Sequence, residues 1–136
     1  MGETSTDRSL FHDSLERCIC SDRFIPAFYE RFTSSSDEVK LRFVRTNFEK
    51  QNEMLKRSLS LIEAATEGKP EGLRELNERA ETHDRYHLKI KPELYELWRS
   101  AVLETAREFD SQWDDEIENA WQHILDFAIA YMVRRY

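Results

Sequence analysis

The sequence predicts an all-α fold, and three observations carry that prediction. Only three glycines and three prolines occur in 136 residues, so few positions break a helix. Apolar residues recur at spacings of three and four along most of the chain. No stretch alternates apolar and polar residues long enough to make a strand. The length suits one domain with a real core and is too short for two. Residues 1–8 are expected to be a disordered tail, with the folded domain covering 9–136.

From Ser9, the residues Phe11, Leu15, Cys18 and Ile19 give a first amphipathic helix. A second begins at Ser21 or Asp22, tolerates Pro26 near its first turn, and carries Ile25, Phe28, Tyr29 and Phe32. The run Thr33 to Asp37 interrupts, and a brief helical piece ends near Phe43. A long helix follows from about Thr46, with Phe48, Gln51, Leu55, Leu59 and Ile62 on one stripe. "EGKPEG" breaks it, and Pro70 opens a helix whose stripe is Leu73, Leu76, Ala80, His83 and His87. Pro92 starts the next, through Leu94, Tyr95, Trp98, Val102 and Leu103. The last helix carries Ile117, Trp121, Ile124, Ala128 and Tyr131, with acidic residues in its first turn and arginines in its last, as the helix dipole prefers.

A net charge of -7 argues against nucleic acid, because phosphate contacts need clustered Lys and Arg. No apolar run approaches the roughly 20 residues that span a bilayer, and the N-terminus lacks the apolar core of a signal peptide. Gly2 is a poor match to a myristoylation signal. A cytoplasmic location with no membrane contact is the expectation. Cys18 and Cys20, two apart on a helix, project from different sides and are expected to stay as free thiols.

Two polar residues interrupt facing apolar stripes: Gln51 on one middle helix and His83 on the next. A buried polar side chain without a partner costs about 1–3 kcal/mol. For one residue, satisfaction by backbone or water would be explanation enough. A pair on neighbouring helices points to something held between them. His83 and His87 are also spaced to share a zinc ion, but a tetrahedral site needs further ligands, and Asp84 stands where a zinc helix would carry Glu. The axial ligand of an iron macrocycle needs only one imidazole and apolar walls, which the stripes around Leu55 and Leu76 can supply.

Six short motifs sharpen this: "FYERF", Phe43 fourteen residues after Tyr29, "FEKQNEML", "AETH", "IKPELY" and "W…DDEIENAW". In this order and spacing, over roughly residues 9–136, they resemble a globin, and more closely the bacterial single-domain haemoglobins and the haem domain of flavohaemoglobins. The resemblance implies a globin fold of about seven helices around a haem b pocket. It makes His83 the axial iron ligand, thirty-two residues beyond Gln51; His87 would lengthen that spacing to thirty-six. It makes Tyr29, Gln51 and Leu55 the residues that meet a bound gas, and Phe43 the phenylalanine stacked on the haem. His87 and Arg45 are candidates for the haem propionates, and Phe48, Ile90, Trp98 and Phe127 for its walls.

The second ring nitrogen of His83 is expected to be held by a backbone carbonyl or by Tyr95. Flavohaemoglobins pair such a tyrosine with a glutamate, and here Tyr136 falls where the glutamate should be. A weaker electron push from His83 follows, which favours reversible binding of O2, CO, NO or a similar ligand for transport, storage or sensing. The alternatives are a nitric-oxide dioxygenase served by an external reductase, since no reductase domain follows, and a gas-sensing signalling module. Assembly as a monomer or homodimer is expected.

Overall fold

The computed structural model describes the backbone of residues 2–83 and 90–134, and side chains from residue 7 onward within those ranges. Among the described residues there are seven helices: α1 (Gly2–Ile19), α2 (Phe24–Thr33), α3 (Asp37–Arg42), α4 (Phe48–Thr66), α5 (Pro70–His83), α6 (Pro92–Phe109) and α7 (Asp115–Arg134). The most extensive helix pairings are α4 with α5, α1 with α7 and α2 with α6. None of these helices is long and apolar enough to cross a membrane.

Local chemistry sets the boundaries. Ser36 caps α3 by accepting the Val39 N–H at 3.0 Å. The Asn47 side chain accepts from the N–H groups of Glu49 and Lys50, at 3.1 and 3.3 Å, so α4 starts at Phe48 and not near Thr46. Asp114 caps α7 through the Ile117 N–H at 2.9 Å. Gly68, at φ +76°, ends α4: its N–H bonds Ala65 O at 3.0 Å while the Lys69 N–H reaches Ala64 O at 3.1 Å. That pair of bonds is a Schellman motif, which needs the left-handed conformation glycine adopts without strain.

Two more expected starts move. Ser21 and Asp22 lie in a turn, where Ser21 O accepts the Phe24 N–H at 3.3 Å, so α2 begins at Phe24. The first helix begins at Gly2 and not at Ser9. Its early residues meet partners: Arg8 Nε lies 3.1 Å from Glu67, and Asp7 lies 2.6 Å from His123 Nδ1.

Part of the core forms where α1, α6 and α7 meet. Phe11 and Trp121 are both fully buried and pack edge to face with ring centroids 4.7 Å apart. Cys18 is buried here and Cys20 is exposed, both as free thiols. Burial, helped by the Asp110 carboxylate and opposed by a smaller lowering from Arg17, pushes the Cys18 thiol up to about 12, which keeps it protonated and unreactive. At the turn between α4 and α5, a Cβ on Gly72 would lie 2.2 Å from Ala65 N, so the absent side chain is what lets the two backbones meet.

Candidate functional site

The α4–α5 hairpin is closed at Gly72 and Ala65, and successive contacts run outward from there. Ser58 meets Glu75, Met54 meets Arg79, and Gln51 and His83 come last. A cavity lies along this line, with empty space of about 1040 Å³ counted out to its mouth. Each of the helices from α2 to α7 contributes to its lining.

On one side stand Tyr29 from α2 and Gln51 and Leu55 from α4. Gln51 Nε2 donates to the Tyr29 hydroxyl oxygen at 3.1 Å. The Tyr29 hydroxyl points its own proton at the Gln51 backbone carbonyl, 3.5 Å away. That distance is long for an O–H donor, so the proton is only loosely committed. Burial raises the Tyr29 pKa to about 12, against a smaller lowering from Gln51, so the phenol stays protonated and can donate at neutral pH.

His83, at the end of α5, is partly buried and lines the same cavity. Its Nδ1 sits 2.7 Å from the Arg79 carbonyl oxygen, one turn back, and 2.9 Å from the Thr82 hydroxyl. A carbonyl can only accept, so Nδ1 carries the proton and Nε2 keeps its lone pair. Among the described residues nothing hydrogen-bonds Nε2. Burial lowers the His83 pKa, the Arg79 carbonyl raises it, and the charges of Arg79 and Arg42 lower it again, with a net shift downward. A neutral ring with a free nitrogen is the form that ligates a metal.

The lining also has charge. Glu75 is only 4% exposed; it accepts from the Ser58 hydroxyl at 2.7 Å and lies 3.3 Å from Arg79 Nε. That nitrogen is within ion-pair range but is not aimed to donate, and it is buried without a hydrogen-bond acceptor. Among the described residues, Arg79 Nη1 meets the Met54 sulfur, at 2.8 Å, and Nη2 lies 3.6 Å from Glu78. The residues therefore fit a large, mainly apolar group that accepts one nitrogen ligand and carries acidic substituents, which is the chemistry of haem.

Of the residues predicted from sequence, Tyr29, Phe43, Gln51, Leu55, His83, Ile90, Tyr95 and Trp98 all line the cavity. Tyr95 is buried there, with its pKa raised to about 12 by burial, but the His83 ring is held by the Arg79 carbonyl and not by Tyr95. Three candidates stand off the cavity lining. Arg45 is exposed and does not line the cavity; Arg42, one turn earlier on α3, does. Phe48 is 39% exposed and stacks on Phe43, with centroids 6.0 Å apart, behind the wall. Phe127 is 37% exposed, and its neighbours Ala128 and Ile129 face inward with Met132. His87 and Tyr136 lie outside the described residues. Ser58, Glu75 and Arg79 were missed, although Glu75, Arg79 and His83 are spaced four and four on one helix face.

No family model matches this chain, and no curated protein does. Among solved structures it is similar to a crystal structure of a protein from Pseudomonas aeruginosa PAO1 described as structurally highly homologous to a human hemoglobin. The two are 28% identical, with a TM-score of 0.90 over 96% of this chain and 98% of that one. Seven described helices without a strand, in that arrangement, make this an all-α chain with a globin-like fold.

Proposed function

We propose that this chain binds haem b through His83 and reversibly holds a diatomic gas, O2 or a similar ligand, beside Tyr29 and Gln51. One observation carries the reading: Nδ1 of His83 is committed to a backbone carbonyl, which leaves Nε2 free on a cavity that also presents two hydrogen-bond donors. Haem would supply a flat apolar ring and an iron with one open position for the gas.

The chain's own residues would do the rest. His83 donates its Nε2 lone pair, and the Arg79 carbonyl fixes the tautomer and the ring plane. Arg42 and Arg79 bring positive charge to the cavity, where the two acidic substituents of haem need it. Phe43 and Leu55 wall off water. The Tyr29 hydroxyl turns its loosely held proton toward a polarised guest, and the Gln51 amide supports it. Binding is favoured over O2 activation because the described partner of Nδ1 is a neutral carbonyl and not a carboxylate, so His83 is a modest electron donor.

The test is reconstitution with haem. A Soret band is expected in the natural chain and in His87→Ala, and its loss or shift in His83→Ala. Loss of iron ligation in His87→Ala alone would overturn the assignment of His83.

A further inference from the structure

Glu75 has no part in holding a gas, yet it is among the most deeply buried charged residues described, at 4% exposure. A carboxylate taken out of water is costly unless it is matched. Three groups match it: the Ser58 hydroxyl at 2.7 Å, Arg79 Nε at 3.3 Å and Arg57 Nε at 3.6 Å. Glu75, Arg79 and His83 follow at four-residue intervals along α5, one turn above another, and all three line the cavity.

The Glu75 and Arg79 charges are not simply spent on each other. Arg57, 69% exposed, lets solvent share Glu75; the Arg79 guanidinium turns one nitrogen to a thioether, one toward the half-exposed Glu78 at 3.6 Å, and leaves the third without an acceptor. Each therefore projects a field into the cavity, and Arg79 stands one turn from His83 where Glu75 stands two. Fields of this kind act strongly where water is excluded.

Resting on the haem reading, we propose that Glu75 and Arg79 are positioning residues that set the reduction potential of the metal His83 holds, in opposite directions. The couple is Fe(III) + e⁻ → Fe(II), with no proton and no bond made or broken in the protein. Oxidation adds one positive charge beside His83. The Glu75 carboxylate favours that added charge, and the Arg79 guanidinium opposes it. Arg79 is the nearer, so the pair as built leans toward the ferrous state, the one that binds O2. The burial of Glu75 then has a reason: it anchors Arg79 and limits how far the guanidinium raises the potential.

Potentiometric titration of the haem-loaded protein tests this, with dithionite supplying the electron through soluble mediators. Glu75→Gln keeps the shape and removes the negative charge; it should shift the ferrous-to-ferric ratio at fixed potential about threefold toward ferrous. Arg79→Met should shift it about tenfold toward ferric, which is about 59 mV for a one-electron couple. The double variant should fall between the two. A merely structural role would loosen the pocket in both variants and move both potentials the same way, and that result overturns the proposal. Unmoved potentials with a normal Soret band overturn it alone. A natural chain with no Soret band overturns the haem reading and this proposal together.

Discussion

The two ends of the molecule treat buried polar groups differently. Where α1, α6 and α7 meet, polar atoms are matched to one another. Asp110, 3% exposed, accepts from the Ser14 hydroxyl at 2.5 Å, from Arg17 Nε at 2.6 Å and from the Gln112 N–H at 2.9 Å. The Trp121 indole N–H closes the network on Ser14 at 2.8 Å. Burial alone would raise the Asp110 pKa, but these donors outweigh it and hold the carboxyl below its usual value. On α4 and α5, by contrast, lie the two described buried side-chain atoms without a hydrogen-bond partner, Asn52 Oδ1 and Arg79 Nε. Of these two, Arg79 lines the cavity and Asn52 does not, so one of the unpartnered atoms belongs to a residue facing the space a ligand could fill.

The sharpest way to break this contrast is at Asp110. Asp110→Ala strips Arg17, Ser14 and the Gln112 N–H of a shared acceptor and should cost about 3–5 kcal/mol in urea unfolding. A loss under about 1 kcal/mol would mean that the network is ornamental.

At the other end, Tyr29→Phe should leave stability within about 0.5 kcal/mol, because the hydroxyl makes only one well-formed bond. Its effect should appear in the gas. A donor to a polarised ligand is worth about 1.5–3 kcal/mol, so O2 should leave roughly ten- to a hundredfold faster. CO carries little charge and should respond far less. Stopped-flow displacement measures both rates; equal changes for O2 and CO would remove Tyr29 from this role. Gln51→Leu should act in the same direction without adding fully to Tyr29→Phe, since both serve one guest.

Gly72→Ala comes next. The new Cβ would meet backbone at Ala65 N, which cannot rotate away, so a loss of about 1–3 kcal/mol is expected from thermal unfolding. A neutral result would show that the α4–α5 hairpin spreads freely.

The smallest effect is a pH dependence carried by His83. Its pKa in the fold is depressed by burial, so the unfolded chain binds the proton better. The stabilisation is fully present above the unfolded value of about 6.5 and is lost as pH falls through the folded value, by at most about 1.4 kcal/mol per pH unit. Haem-free protein should lose stability faster below that pH than His83→Leu does. Parallel curves would show that the ring is as exposed in the fold as out of it.

Much of this was legible beforehand, and the failures have physical causes. Helical spacing placed Gln51, Leu55 and His83 on facing stripes because a 3.6-residue period leaves little freedom once one face is buried. The α7 stripe already contained Ala128; choosing Phe127 preferred size over phase, and the residue 100° away on the helix points outward. Arg45 was named and Arg42 missed because α3 is six residues long and the turn after it follows no period. Glu75 and Arg79 were passed over because a charged residue on a helix is ordinarily solvated. Only contacts across to Ser58 and Met54, 17 and 25 residues away in sequence, reveal that they are not.

Gly72 has one more consequence. Its backbone touches that of Ala65, so the crossing of α4 and α5 is a fulcrum, and α5 is the lever arm. His83 lies eleven residues along that arm, roughly 16 Å at the rise of an α-helix. A tilt of about 4° at the fulcrum therefore carries the His83 end through about 1 Å, a displacement large enough to lengthen or shorten a metal–nitrogen bond. The consequence is mechanical: a residue with no side chain sets how far the His83 ring stands from the opposite wall of the cavity.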